Sequence, residues 1–416
     1  MNILMLGNGF DLYHKLPTTY LCFLKTVEYL KESENNDLVI WSIFNHIKDE
    51  CKTINDSFDE YSEFYHGYFF DEEDRNNLQE IKKLSENNCW LNYFRKAYSK
   101  DVGWIDFEKE IAKVINCLST KGFPINIFGS GDNTAEEDSI LGSFGFYSDY
   151  IQETTVENAE NHSRRIIPAH FEPKEEYRIE YPSNSGNIIL NTNLVIEKIY
   201  KELRNIAQML KIYLEMFVEK PLVKMKDEGI IKTNNAFNNH DSVISFNYTN
   251  TYETLYKEKP IHYIHGSLNA EIVLGINPDN NDELTETSPT DTSFIMFKKY
   301  YQRVLYRTDN SFIKMIRTIK DERIVINPPQ NELVVCGHSL DATDQDIIKE
   351  VFDVSDSIKI ICHNLESIGD YVTKLINIYG KREFDRLRSE KHLQFITYDE
   401  WAQLKKKPIK KATVAN

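Results

Sequence analysis

A glycine-containing turn near the N-terminus has the residue types and spacing of a phosphate-binding loop. Gly7, Asn8 and Gly9 directly follow the apolar run of residues 1–6, which is typical of a buried strand. Glycines at this spacing let the backbone turn sharply and approach a phosphate, whose charge is attracted to the start of the helix behind them. The third glycine of the dinucleotide-binding fingerprint is absent, because Phe10 and Asp11 follow instead. Alone, the motif fits a plain tight turn slightly better than a ligand site.

Polar residues also follow four apolar segments in the second half of the chain. They lie at 245–250, 265–268, 337–341 and 363–364. Each segment alone has an ordinary structural explanation, as a turn, a buried histidine or a helix cap. The carboxyl ends of parallel strands meet at one edge of an open α/β sheet, and ligands bind at that edge. Together with the glycine turn, these segments therefore predict one composite site.

The order of strand-like and helix-like segments predicts an α/β fold. After residue 242, short β-prone segments alternate with helical periodicity, which is typical of a mainly parallel sheet with helices on both faces. The first strand is expected to join this sheet, because one strand cannot form a core alone. We therefore predict a Rossmann-like domain made of residues 1–30 and 236–416. Residues 31–235 are predicted to be a large inserted domain, mostly helical, with a loop-rich stretch at 122–190.

Composition and charge exclude several classes of protein. The 416 residues carry a formal net charge of −16, which disfavours nonspecific binding of nucleic acid over the whole surface. The basic segment 405–411 is interpreted as a solvated tail, with a nucleic-acid contact as the alternative. No apolar run approaches the roughly 18 residues that cross a bilayer, and no secretory signal is visible, so we expect a cytoplasmic protein. The six cysteines form no CxxC pair, which predicts reduced, buried thiols and no zinc ribbon.

The motifs of the chain resemble those of the AbiH family of bacterial abortive infection proteins. The resemblance rests on five segments in the family's order, namely residues 7–20, 104–108, 245–250, 265–268 and 337–341. More distantly, the same order is similar to that of Sir2-like proteins. Those proteins carry a Gly-Ala-Gly loop, a Thr-x-Asn-Tyr/Ile-Asp segment, a His-Gly pair, a Gly-x-Ser-Leu loop and a late asparagine.

The Sir2-like resemblance implies a site for NAD or a related ADP-ribose nucleotide. As in Sir2-like defence effectors, it also implies hydrolysis of NAD to nicotinamide and ADP-ribose. Asn247 would hold a water or the ribose hydroxyls against the reacting carbon, and His265 would accept a proton from one of them. Backbone N–H groups of residues 7–10 are expected to hold the pyrophosphate. The cofactor-binding residues that the resemblance implies are Gly7, Asn8, Gly9, Phe10, Tyr248, Gly266, Gly337, His338, Ser339 and Asn364; of these, Gly337, Ser339 and Asn364 would border the adenosine half.

One position departs from the Sir2-like pattern. Thr249 stands where that pattern has an aspartate, and Asp11 and Asn250 are the candidates to substitute for it, with Asp11 assigned to the catalytic set. The departure favours an alternative hypothesis, a nucleotide sensor without turnover that acts through a partner. An RNA- or DNA-directed toxin is a third hypothesis, favoured only by the basic tail, and a dehydrogenase is a fourth. The missing cysteine zinc module argues against protein deacetylation.

Further expectations concern partners and two outlying segments. We expect a small nucleotide ligand, no metal and no membrane contact. We also expect assembly as a homo-oligomer or with a defence-system partner protein, and a phage-derived trigger. In the segment 104–108 the aromatic residues are interpreted as core, while Glu108 or Asp106 is a candidate to reach the site. Basic and aromatic residues at 297–303 favour a packed amphipathic helix over a phosphate-facing lysine or arginine.

Overall fold

Six parallel strands form the central sheet of the computed structural model. The model describes residues 1–33, 39–98, 105–120, 144–151, 154–157, 164–167, 170–180, 188–256, 259–277, 292–323 and 330–406. Its strands are β1 Asn2–Leu6, β2 Tyr147–Ile151, β3 Thr154–Glu157, β4 Arg164–Ile167, β5 His170–Pro173, β6 Arg178–Glu180, β7 Ile188–Leu190, β8 Ser242–Ser245, β9 Ile261–Tyr263, β10 Glu332–Cys336, β11 Ser357–Cys362 and β12 Gln394–Thr397. The central sheet has the order β12-β11-β10-β1-β8-β9.

This strand order is that of a doubly wound dinucleotide-binding fold. Numbered along the chain and read from β9, the six strands lie in the order 3-2-1-4-5-6. The first strand is central, because Leu6 pairs with Cys336 of β10 on one side and with Ser245 of β8 on the other. The apolar run of residues 3–6 is buried on both faces, as expected for a central parallel strand.

Helices cover both faces of the sheet and make up most of the insertion. They are α1 Asn8–Tyr13, α2 Tyr20–Glu32, α3 Ile40–Ile47, α4 Lys52–His66, α5 Glu72–Ser85, α6 Cys89–Tyr98, α7 Phe107–Thr120, α8 Thr192–Leu214, α9 Lys220–Asp227, α10 Thr251–Tyr256, α11 Lys299–Tyr306, α12 Asn310–Glu322, α13 Gln345–Asp353, α14 Ile368–Glu390 and α15 Tyr398–Lys406. A π-helical turn, Glu215–Glu219, joins α8 to α9. Within the described ranges, no helix combines the length and the apolar character that a membrane span needs.

Two apolar clusters correspond to the two faces of the sheet. Alternate residues of a strand point to opposite faces, so Ile3 and Met5 pack on one side and Leu4 and Leu6 on the other. The first side is covered by α12, α13 and α14. The second is continuous with the core of the helical insertion, which makes the insertion one of the layers that cover the sheet.

The predicted fold class is confirmed. The sheet is parallel, helices lie on both of its faces, and a mostly helical segment separates β1 from β8. The stretch at 122–190 differs from a purely loop-rich one, because its described residues include the antiparallel pairs β2–β5, β3–β4 and β6–β7. The exact domain boundaries stay a prediction.

Candidate functional site

A cavity of about 810 Å³ opens at the carboxyl edge of the central sheet. It lies over the point between β1 and β10 where the strand order reverses. Chain connections leave the two strands in opposite directions at such a point, and the crevice between them is where open α/β sheets bind ligands. The start of α7, from the helical insertion, also lines the cavity. The cavity is therefore built by both parts of the chain.

The two glycine turns at the base of the cavity pack against each other. Gly9 N–H donates to the Gly337 carbonyl at 2.8 Å. Gly337 has a φ of +68°, and a Cβ on it would lie 2.2 Å from Phe10 N. A Cβ on Gly9 would lie 2.6 Å from the Cα of Gly337. Glycine is required at both positions because a side chain would clash with the other loop. The sequence prediction was instead that these glycines make room for a phosphate.

Most backbone N–H groups of the first turn already have acceptors. Gly7 donates to the Cys336 carbonyl at 3.1 Å, and Phe10 donates to the Gly7 carbonyl at 2.9 Å. With Gly9 also occupied, Asn8 is the residue of this turn whose N–H lacks an acceptor among the described residues. Three of the four N–H groups that were expected to hold a pyrophosphate therefore donate to backbone carbonyls instead.

Phe10 and Gly266 were predicted to bind cofactor, and neither lines the cavity. The Phe10 ring is fully buried and packs edge-on against Phe237, with ring centres 4.9 Å apart. Gly266 has a φ of +79°, and a Cβ on it would lie 1.9 Å from the Glu271 carbonyl oxygen. Both corrections have the same physical reason, which is that the residue is needed for packing or for a turn below the site.

Asn364 also lies outside the cavity. Its Oδ1 accepts from the Ser367 N–H at 2.9 Å and caps a short 3-10 helix, while the preceding residue, His363, lines the cavity. The predicted site residues that do line it are Gly7, Asn8, Gly9, Asp11, Asn247, Tyr248, His265, Gly337, His338 and Ser339. Ten of the thirteen predicted site residues therefore line a single cavity.

Asn247 is held at the end of β8 by two hydrogen bonds. Its Nδ2 donates to the Gly7 carbonyl at 3.1 Å, and its backbone N–H donates to Ser245 Oγ at 3.2 Å. The bond to Gly7 fixes the orientation of the amide group, and the described residues form no hydrogen bond with Oδ1. A fixed amide oxygen at a cavity wall can position a water or a hydroxyl group.

His265 follows β9 and lies against a carboxylate. Its Nε2 is 3.0 Å from Asp344 Oδ1, although the pair is not aligned as a good hydrogen bond. The ring packs edge-on against Phe246, with ring centres 5.4 Å apart. Burial, reinforced by the charge of Lys299, lowers the pKa of His265 to about 4. The imidazole is therefore neutral at pH 7 and able to accept a proton or a hydrogen bond.

Three charged side chains form a buried cluster beside His265. Lys299 is completely buried, and its Nζ lies 2.7 Å from both Glu108 Oε2 and Asp344 Oδ1. Burial alone would raise the pKa of Asp344, but the charge of Lys299 and the contacts with His265 and His338 together outweigh burial and hold that pKa well below its usual range. Burial raises the pKa of Glu108 to about 7, with Lys299 acting in the opposite direction. Glu108 thus reaches the cavity, as one of the sequence hypotheses proposed.

Asp11 is a second buried carboxyl group at the cavity wall. Its Oδ2 accepts from Thr249 Oγ1 at 2.7 Å, and Thr251 Oγ1 donates in turn to Thr249 Oγ1 at 3.1 Å. Its Oδ1 is buried without a hydrogen-bond partner among the described residues. Burial raises the pKa of Asp11 to about 7. The group therefore changes its charge close to physiological pH.

Sequence reasoning missed Lys299 and Asp344 as site residues. Asp344 follows the segment 337–341 closely, and an aspartate in such a loop is typical of a helix cap. Lys299 lies in a segment whose helical periodicity favours a packed helix, and nothing in that pattern shows that a lysine faces inward. Trp104 and residues 407–411 of the basic tail lie outside the described residues, so those two predictions stay as they were.

Comparison with known proteins identifies a family but no individual relative. The family model described as "Bacteriophage abortive infection AbiH" matches residues 3–362 of the chain. This range runs from the start of β1 through the helical insertion to the end of β11, and so it includes every cavity-lining residue except His363, Tyr371 and Tyr398. No curated protein and no solved structure matches the chain.

Proposed function

The chain belongs to the AbiH family of bacteriophage abortive infection proteins, and from that premise we propose that it is an antiphage effector that binds NAD and hydrolyses it to nicotinamide and ADP-ribose. The observation that carries the proposal is the position of the cavity. It lies at the point of strand-order reversal in a sheet of the dinucleotide-binding order, with Asn247 and His265 in its wall. Its volume of about 810 Å³ falls within the range of small-molecule sites.

The side chains suit cleavage of the nicotinamide glycosidic bond. Such cleavage passes through an oxocarbenium-like state, and nicotinamide leaves as a neutral group, so no acid is needed to assist its departure. What the reaction requires is a positioned nucleophile and a group that takes its proton. The free Oδ1 of Asn247 suits the first task, and the neutral ring of His265 suits the second.

Asp11 supports the same chemistry from a position next to the loop that carries Asn247. Thr249, which stands where the Sir2-like pattern has an aspartate, donates a hydrogen bond to the carboxyl group of Asp11. A cationic group such as the nicotinamide ring of NAD would favour the ionised form of Asp11 and lower its pKa. Binding of NAD near Asp11 would then release a proton, whereas binding of ADP-ribose, which lacks that cation, would release less.

A sensor without turnover is the second candidate function. It is favoured by the low pKa of His265, because a histidine with a pKa of about 4 is a weak proton acceptor. It is also favoured by the N–H groups of Gly7, Gly9 and Phe10. These groups donate to backbone carbonyls, so fewer donors are free to hold a pyrophosphate during a reaction. In this case ligand binding would report a metabolite through the helical insertion that lines the cavity.

Calorimetric titration separates the two candidates and tests the site. Purified protein is titrated with ADP-ribose and with NAD in two buffers of different ionisation enthalpy, which gives the affinity and the protons released. We expect both ligands to bind, NAD to release more protons than ADP-ribose, and Asp11→Asn to remove the difference. If neither NAD nor ADP-ribose binds, both candidate functions are overturned. Binding of NAD without any nicotinamide formation, with or without lysate from phage-infected cells, would leave the sensor.

A further inference from the structure

Four ionisable side chains from distant parts of the chain converge beside the cavity. They are Glu108 from the first turn of α7, His265 after β9, Lys299 at the start of α11, and Asp344 just before α13. None is more than 9% exposed. Burying charges costs several kcal/mol per ion unless they are well paired, and apolar residues would often be as stable. The cluster therefore calls for an explanation other than stability.

The hydrogen-bond partners fix the charges within the cluster. Lys299 lies between two carboxylates, and its Nζ also donates to the Thr343 carbonyl at 3.3 Å. Asp344 is held ionised by this ammonium group. Its second oxygen, Oδ2, lies 3.6 Å from Nε2 of His338. Since Nδ1 of His338 accepts from the Leu340 N–H at 2.9 Å, Nε2 is the ring nitrogen of His338 that carries a proton.

The same logic assigns the tautomer of His265. A carboxylate only accepts hydrogen bonds, so the ring nitrogen of His265 that faces Asp344 must carry the proton. That nitrogen is Nε2, and the lone pair of the neutral ring is therefore on Nδ1. Nε2 is the buried ring nitrogen whose contact is not an aligned hydrogen bond, and Nδ1 forms no hydrogen bond with the described residues. The base lone pair is thus directed away from Asp344 and is free for a ligand.

We propose that Asp344 is a positioning residue for His265: it fixes the ring as the Nε2–H tautomer, with Lys299 and Glu108 holding Asp344 in place. The catalytic consequence rests on the proposed NAD hydrolysis, whereas the tautomer does not. Asp344 never contacts the reacting atoms. Its effect is exerted through the orientation and protonation of His265, as a carboxylate orients the histidine of a hydrolase triad.

Lys299 and Glu108 have separate parts in this arrangement. Without Lys299, Asp344 would pull a proton onto His265 and convert it to the imidazolium, which cannot accept another. Glu108 balances the remaining charge of Lys299, and it comes from the helical insertion. The insertion therefore completes the environment of the site histidine. The anchoring of α11 supports this geometry, because Gln302 pairs with both the N–H and the carbonyl of Leu274.

Nuclear magnetic resonance of ¹⁵N-histidine-labelled protein tests the tautomer without any ligand. The signals of His265 are identified by their loss in His265→Gln. We expect Nδ1 of His265 to show the shift of an unprotonated nitrogen in the wild type. In Asp344→Ala no acceptor faces Nε2, which would instead accept from the Lys299 ammonium group, so the proton would move to Nδ1. The control is Asp353→Ala, the same change at an exposed position at the end of α13.

Kinetics of nicotinamide release test the catalytic consequence. We expect Asp344→Ala to lower kcat by roughly 10²- to 10⁴-fold with little change in KM, and Asp353→Ala to leave both near wild type. An Nδ1–H tautomer in the wild type, or an unchanged tautomer in Asp344→Ala, would overturn the proposal. So would a wild-type kcat in Asp344→Ala. A wild-type protein that never releases nicotinamide would instead contradict the proposed function. The resonance experiment alone would then decide whether Asp344 fixes the tautomer of His265.

Discussion

Thr249 donates a hydrogen bond of 2.7 Å to Asp11, and this contact joins the loop after β8 to the first helix of the chain. In sequence the two residues are 238 positions apart. The Sir2-like pattern has an aspartate where Thr249 stands, and the contact brings the carboxyl group of Asp11, in α1, within hydrogen-bond distance of that position. Asp11 is therefore the candidate to substitute for that aspartate.

Asp11→Asn should make stability less dependent on pH. Burial raises the pKa of Asp11 from 3.8 to about 7 in the folded protein. Between these values the folded state keeps a proton that the unfolded state has lost, so this group makes the protein less stable as pH rises from about 4 to 7. The total effect is on the order of 4 kcal/mol. Asp11→Asn should therefore gain stability relative to wild type at pH 8 but not at pH 4.

Urea denaturation at a series of pH values measures this difference. The matched control is Asp59→Asn, the same change at an exposed position of α4. Its stability relative to wild type should stay constant over the same pH range. Parallel pH profiles for Asp11→Asn and wild type would show that Asp11 ionises normally and would contradict this assignment.

Thr249→Val should destabilise the protein by about 1–3 kcal/mol, because Asp11 would lose its hydrogen-bond donor while remaining buried. Thr249→Ser keeps the hydroxyl and should recover most of the loss. Thermal unfolding followed by circular dichroism compares the two variants. Equal stabilities for Val and Ser at this position would mean that the Thr249 hydroxyl does not support Asp11.

Gly337→Ala should be strongly destabilising, by at least about 3 kcal/mol. The new Cβ would lie 2.2 Å from Phe10 N, and the residue has a φ of +68°. Gly369→Ala is the control, because a Cβ there meets nothing within 4 Å and the site is in helix α14, where alanine is favoured. We expect it to be neutral or slightly stabilising. Soluble yield and unfolding temperature measure both, and a wild-type unfolding temperature for Gly337→Ala would refute the tight contact between the two loops.

Lys299→Met should cost about 3–5 kcal/mol, because it leaves Glu108 and Asp344 buried without a counter-charge. Lys320→Met removes a lysine from an exposed ion pair with Glu350 and should cost less than about 1 kcal/mol. Urea denaturation at pH 7 compares the two. Adding Glu108→Gln to Lys299→Met should recover part of the loss, since one uncompensated carboxylate is removed. Equal losses of stability in Lys299→Met and Lys320→Met would contradict the conclusion that Lys299 compensates two buried carboxylates.

The parallel sheet could be predicted from the sequence because its cause is local. Each strand is a short apolar run, and each run is followed by a polar segment and a helical pattern, as at Ser242–Ser245 and Glu332–Cys336. Alternation of this kind permits few topologies. The residues at the strand ends were therefore brought together as expected, and Asn247 and His265 lie in one cavity.

The remaining site residues depend on contacts that no local pattern records. Lys299 is buried because Glu108, 191 residues away in the chain, faces it. Gly337 is required because Gly9 lies against it, so the same glycine spacing that suggests a phosphate loop here serves loop packing. Asn364 lies beside a cavity residue and caps a helix instead. In each case the residue type could be read from the sequence, but its partner could not.

Release of nicotinamide from NAD tests the central claim most directly. Wild type, Asn247→Ala and His265→Ala are incubated with NAD, with and without lysate from phage-infected cells, and nicotinamide is measured by chromatography. Asn76→Ala and His66→Ala make the same changes at exposed positions of the helical insertion. We expect equal amounts of nicotinamide and ADP-ribose from wild type and both controls, and release at least about 100-fold slower from the two site variants. Wild-type rates in Asn247→Ala and His265→Ala, or no release from wild type under either condition, would contradict the account.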